Sequence, residues 1–315
     1  MERGKFLDIV VCGPDMSGTN TQIKGLVKLF QSKGMKVRDL RGTEIDALFH
    51  TSLFKTINKN YFSYAEFFTD KSTTSEMREK FLGVAAGCLI GGGTNQDLRV
   101  ASMMQNKVTS YIDPNSADVW IMEEPTKRGA GQVNRVIEQN RSAFNDELNP
   151  KAAAETHSVY RTDEFLRFRK PLRENNKIII RSRSEESACY QRYNFFYLKK
   201  GVHKNYYLQL EGHKIAFANP PTNLFVVSGP KDWTVSDYLR LKQERSNGRD
   251  FDDHEKNASY QVLVNKRYAT NWLEKLYKKG TKKYGGTMPE VTRFNIYDTE
   301  DEINRQMAEK ISSLF

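Results

Sequence analysis

The chain has 315 residues, enough for one large domain or two smaller ones, and its 38% hydrophobic and 11% aromatic content supplies a core and argues against wholesale disorder. No run approaches the roughly 18 consecutive apolar residues of a membrane span, and the first residues lack a signal-type apolar region with a cleavage site. Three scattered cysteines, Cys12, Cys88 and Cys189, suit a reducing, cytoplasmic setting without a zinc site, while a formal net charge of +10 points towards polyanions, either nucleotides or nucleic acid.

Residues 6–12, Phe6-Leu7-Asp8-Ile9-Val10-Val11-Cys12, predict a short buried strand. Ile23, Leu26, Val27, Leu29 and Phe30 repeat at helical spacing and predict a helix over 21–33. Between them stands Gly13-Pro14-Asp15-Met16-Ser17-Gly18-Thr19-Asn20-Thr21. Strand, glycine turn and helix start form a context for binding phosphate. Glycines let N–H groups converge on one small volume, and the helix N-terminus adds about half a positive charge. Gly13 and Gly18 fit the spacing G-x-x-x-x-G-K-[ST], but Thr19 holds the lysine position and Asn20 the metal-hydroxyl position. Thr21 is the nearest hydroxyl. A tight turn without any ligand is the plainer alternative.

A second strand is predicted at 35–40. Residues 41–115 then break the rhythm, with Phe49, Phe54, Tyr61, Phe62, Tyr64, Phe67 and Phe68, a predicted helix at 75–90 and a Gly91-Gly92-Gly93 stop. This stretch reads as a mostly helical insertion whose aromatics pack in a core. From 118 strands are predicted at 118–122, 177–180, 221–228 and 291–297, with helices from 131 and over 152–172, 234–245, 256–278 and 300–313. That alternation predicts an α/β fold, a parallel sheet flanked by helices on both faces.

The order of these motifs resembles the thymidylate kinases, within the P-loop nucleoside monophosphate kinases. The family's first loop runs approximately G-x-D-G-S-G-K-S-T-Q, and Asp15, Ser17, Gly18, Thr21 and Gln22 match it. Glu123-Glu124-Pro125-Thr126 with Gly131 resembles the family's Arg-Glu-Pro motif, with Glu123 in place of the arginine. Tyr160-Arg161, ahead of Pro171, stands where the family carries an arginine for the acceptor phosphate. Arg183 fits the family's Asp-Arg-Tyr motif with Ser182 in place of the aspartate, while a one-residue shift would instead align Tyr190-Gln191 with a family Tyr-Gln pair. Arg245-Ser246-Asn247-Gly248-Arg249 resembles the lid, and 294–298 with the last helix resembles the family's C-terminal strand and helix.

The resemblance covers about 1–40 and 116–315. It implies a three-layer P-loop kinase fold as a single domain over 1–315, with the insertion at about 41–115 and the lid at about 240–256. It also implies transfer of the ATP γ-phosphoryl group to dTMP or a related nucleoside monophosphate, with Mg2+, in a homodimer. In that scheme Gly13, Ser17, Gly18, Thr19, Asn20 and Thr21 hold ATP. Asp15, His157, Arg161, Arg183, Ser187 and Gln191 hold the acceptor, and Thr21 and Glu124 meet the metal. Asp15, Glu124, Arg183, Arg245 and Arg249 carry catalysis. The missing loop lysine calls for another cation, from Lys127, Arg128, Arg245 or Arg249.

Two other readings stand beside this one. Loss of the loop lysine and of the family aspartate also fits a kinase-shaped protein that binds nucleotide without transferring phosphate. Alternatively Lys266, Arg267, Lys275, Lys278, Lys279, Lys282 and Lys283, interleaved with Tyr268, Trp272, Tyr277 and Tyr284, could track a nucleic-acid backbone. An amphipathic helix with its lysines in water explains the same pattern. His203 and His213 have no zinc-site spacing, and Cys189 with His203 makes no convincing nucleophile–base pair.

Overall fold

The computed structural model describes residues 6–41, 74, 113–124, 150–186, 202, 204–245 and 257–314. Six strands form one sheet: β1 (Leu7–Cys12), β2 (Val37–Asp39), β3 (Val119–Glu123), β4 (Ile178–Ser182), β5 (Asn223–Ser228) and β6 (Glu290–Asn295). Their order is β2-β3-β4-β1-β5-β6, and every pairing is parallel. All six residues of β1 are buried, as are all six of β5. A strand in the middle of a parallel sheet is covered on both faces, which is why these segments read as unbroken apolar runs.

Alternation sorts the side chains into two cores. Leu7, Ile9 and Val11 of β1 join Ile178, Ile180, Phe225 and Val227 on one face, beneath Ile23, Leu26 and Phe30 of α1 (Thr19–Ser32). The opposite face carries Val10, Cys12, Leu224 and Val226, and flanking it Trp120, Met122 and Ile179 pack on Phe168 and Leu172. Here α2 (Pro150–Glu164), a π-helical turn at Phe165–Arg169 and α3 (Lys170–Glu174) cover the sheet together with α4 (Lys204–Tyr207) and α5 (Glu211–Ala218). Then come α6 (Val235–Arg245), α7 (Ala258–Tyr268), α8 (Trp272–Tyr284) and α9 (Glu300–Ser312). The three-layer α/β arrangement expected from the strand–helix alternation is therefore present.

Three local expectations change. The predicted helix at 152–172 starts at Pro150, and its last part widens into a π turn before Pro171. Proline has no N–H to return to the carbonyl four residues back, so the helix continues only by loosening that turn. The single helix predicted at 256–278 is two, because Arg293 of β6 donates to the carbonyls of Tyr268 at 3.1 Å and Thr270 at 2.8 Å and stabilises the break. Helix α5 had no counterpart in the sequence reading. It lies so close to α2 that a Cβ on Gly212 would come within 2.1 Å of the Ser158 carbonyl oxygen. The predicted insertion at 41–115, apart from Arg41, Thr74 and 113–115, lies outside the described residues, as do the helix from 131 and the lid beyond Arg245.

Chain direction defines a crevice. After β1 the chain turns onto the face covered by α1, whereas the next described helices after β4 lie over the other face. The carboxyl ends of β1 and β4 therefore border a gap, the place where open α/β sheets hold ligands.

Candidate functional site

The loop after β1 is shaped by sterics. A Cβ on Gly13 would sit 2.2 Å from the Val227 carbonyl oxygen and 2.7 Å from Ser17 Oγ, so no other residue fits there. Gly18 adopts φ of 73° and precedes α1 without a side-chain cap, and the first turn of α1 contains no acidic residue. Leading N–H groups of this helix are thus left for another acceptor, which is the arrangement that binds anions. Thr19 and Thr21 are partly exposed and Asn20 is exposed. Asn20 Oδ1 accepts a hydrogen bond from Arg41 Nη1 at 3.3 Å, and Arg41 is paired with Asp39. Arg41 is a cation beside the loop that sequence reasoning missed.

Asp15 is the centre of the crevice. Its N–H donates to Gln261 Oε1 at 3.1 Å, its Oδ2 accepts from Gln261 Nε2 at 2.6 Å, and its Oδ1 accepts from Arg183 Nη2 at 3.1 Å. Arg183 reaches Asp15 from the end of β4, where its N–H donates to the Val11 carbonyl at 3.1 Å. Among the described residues three non-glycine positions have positive φ: Met16 at 66°, Arg183 at 68° and Asn176 at 51°. Asn176 is an asparagine in a turn, a residue that tolerates this conformation. Met16 and Arg183 do not share that tolerance, and they flank Asp15. Backbone strain of this kind collects at functional sites because the surroundings must enforce it.

Arg245, expected on the lid as a replacement cation, turns to the main chain. Its Nη1 donates to the Met16 carbonyl at 2.7 Å and its Nη2 to the Ile296 carbonyl at 2.6 Å. Burial lowers its pKa, with Glu244 opposing. Arg245 therefore fastens the strained residue of the loop. Lys127, Arg128, Ser187, Gln191 and Arg249 lie outside the described residues.

On the far side of the crevice Glu124 and Arg161, expected to meet a metal and a phosphate, meet each other. Arg161 is 3% exposed and donates to Glu124 Oε1 from Nε at 2.9 Å and from Nη2. Its Nη1 donates to Tyr207 Oη at 3.1 Å and to His213 Nε2, and the Ser184 carbonyl lies 3.5 Å from Nη2. A guanidinium has five N–H groups, and each of those of Arg161 faces one of these acceptors. Burial disfavours ionised Glu124, but the charge and hydrogen bonds of Arg161 outweigh it and hold the carboxyl below its usual range. His213 is depressed well below 6.5 by burial and then by Arg161, so it is the neutral acceptor this contact needs. His157 is buried, edge-on to Tyr160 at 5.6 Å.

Beneath lies a second ionic cluster. Asp8 accepts from Arg181 at 2.8 Å and from Arg169 at 3.0 Å, and Glu185 stands 3.6 Å from Arg181. Burial raises two further carboxyls, Glu164 and Glu186, to about 7. Asp8 and Arg181 did carry a sequence signal, since a charge inside an apolar strand must find an opposite charge. Tyr207, His213 and Gln261 carried none.

Among the described residues no group of His, Cys, Asp or Glu is arranged to hold a metal ion. Of the residues expected to meet a metal, Glu124 has its Oε1 taken twice by Arg161, so that oxygen serves the ion pair. The basic surface of α8 has its lysines in water, whereas Tyr277 is buried and Trp272 lies under Arg267 at 4.7 Å. No described helix is long and apolar enough to cross a membrane. Neither a family model nor a curated protein matches this sequence.

Proposed function

We propose that the chain is a nucleoside monophosphate kinase of the thymidylate kinase type. It takes MgATP as donor and dTMP or a related nucleoside monophosphate as acceptor. The observation that carries this reading is the strained glycine loop at the end of β1, with Asp15 held by Arg183 across the β1/β4 crevice. In the reaction an oxygen of the acceptor phosphate attacks the γ-phosphorus and the bond to the β,γ-bridging oxygen breaks, giving ADP and a nucleoside diphosphate. Such transfer asks the protein mainly for positioning and for charge stabilisation. Loop N–H groups receive the donor phosphates, Arg183 faces the acceptor phosphate, and Asp15 accepts from an acceptor sugar hydroxyl. Magnesium enters with the donor, held by its phosphates and water, as this ion prefers.

A reading without transfer draws on two observations: all the Arg161 N–H groups are engaged, and Arg245 binds carbonyls. The nucleic-acid reading loses support from the burial of Tyr268 and Tyr277, since bases need exposed rings. A coupled assay of ADP release over a panel of nucleoside monophosphates separates the first two. Turnover that depends on the acceptor supports the kinase. Nucleotide binding without turnover by any acceptor leaves the binding protein.

A further inference from the structure

Gln261 sits in α7, wholly buried, and grips one residue twice. Its carbonyl oxygen accepts the Asp15 N–H, and its amide nitrogen donates to Asp15 Oδ2. Only one orientation of a glutamine amide satisfies both contacts. One turn later Asn265, also wholly buried, repeats the pattern on the loop after β5. There Oδ1 accepts the Gly229 N–H at 2.8 Å and Nδ2 donates to the Pro230 carbonyl at 2.9 Å. The same face of α7 therefore ties down the two loops that follow β1 and β5. The loop after β1 also packs on β5 itself at Gly13, where a Cβ would meet the Val227 carbonyl.

An aspartate carboxyl rotates in a broad well, so its direction is set by what it binds. Here Arg183 takes Oδ1 and Gln261 takes Oδ2, which leaves little freedom to turn. We propose that Gln261 is a positioning residue, setting the rotation of the Asp15 carboxylate and through it the affinity for the acceptor nucleotide. This rests on the kinase reading above. Gln261 meets neither substrate, and its effect reaches the acceptor only through Asp15. Groups that orient metal-ligating side chains are worth about 10- to 100-fold in affinity or activity, and an effect of that order is expected for a group that orients Asp15.

The test is calorimetric titration of the full chain with dTMP, dUMP, dCMP, dAMP and dGMP, and separately with MgATP. Wild type, Gln261→Leu, Asp15→Asn and the double variant are compared. Gln261→Leu weakens the bound nucleoside monophosphate about tenfold or more and weakens MgATP distinctly less, since the donor loop loses only the bond at the Asp15 N–H. In the Asp15→Asn background the same substitution adds nothing, because the group it orients is altered. Should Gln261→Leu fail to fold, Gln261→Met, closer in length, takes its place with the same expectation. Unchanged acceptor affinity, an equal loss for MgATP, or a full additional loss in the Asp15→Asn background overturns the inference. Wild-type chain that takes up none of the five nucleoside monophosphates overturns the kinase reading and this inference with it.

Discussion

At Arg161 the chemistry expected from the sequence and the chemistry in the structure part company. An arginine on the helix before Pro171 suits an acceptor phosphate, but Glu124, Tyr207, His213 and Ser184 surround its N–H groups. A buried ion pair of this kind resists loss of one partner far more than loss of both. Arg161→Ala is expected to cost about 3–5 kcal/mol in urea unfolding, since Glu124 is left buried and unpaired. Replacing Glu124 by Leu and Arg161 by Met together should cost much less than the sum of the two single changes. Asp15 and Arg183 were legible because they belong to motifs whose chemistry is local. Tyr207, His213 and Gln261 were not, because each reaches the site from a distant helix, and only packing decides where such side chains arrive.

Helices and strands were easier to read than their ends. The apolar runs of β1 and β5 and the spacing of Ile23, Leu26 and Phe30 each have one physical explanation, burial in a two-faced core. The break between α7 and α8 is different. Val264, Tyr268 and Trp272 keep a four-residue spacing straight through it, so the periodicity conceals the interruption. Arg293 supplies what local sequence does not, bonding the carbonyls of Tyr268 and Thr270 and pairing with Glu274 at 2.7 Å. Arg293→Ala is expected to lower stability by about 1–2 kcal/mol, mostly through the two carbonyl bonds, since the ion pair is one-third exposed. Chemical denaturation measures that loss. An unchanged midpoint would mean the two helices separate for reasons of their own.

Across the whole molecule the buried charges set a pH dependence. Burial lifts Glu164 and Glu186 from 4.5 to about 7, so between those values the folded chain holds protons that the unfolded chain has released. Their contribution is complete below about pH 4.5 and is lost as pH rises from there through 7, on the order of 3 kcal/mol for each carboxyl. Asp8 has the opposite sign. Burial opposes its ionisation, yet Arg181 and Arg169 lower its pKa, so its contribution is present above 3.8 and lost in acid. Melting temperature should therefore peak near pH 4.5, where Asp8 is ionised and both glutamates still hold their protons. It should fall between about pH 4.5 and 7 and level off above it, and Glu164→Gln should flatten that fall. A melting temperature that rises steadily to pH 8 would contradict this. The parallel sheet was legible from the alternation of elements; placing β1 between β4 and β5 required contacts between strands far apart in sequence.

Whether the loop 13–18 embraces a polyphosphate without a lysine decides what this protein can do. Isothermal titration of the intact chain with MgATP asks this directly. One molecule bound per chain is predicted, and at a hundredfold excess over Kd it stabilises the fold by about 2.7 kcal/mol, visible as a raised melting temperature. No heat of binding and no shift in melting at millimolar MgATP would contradict it.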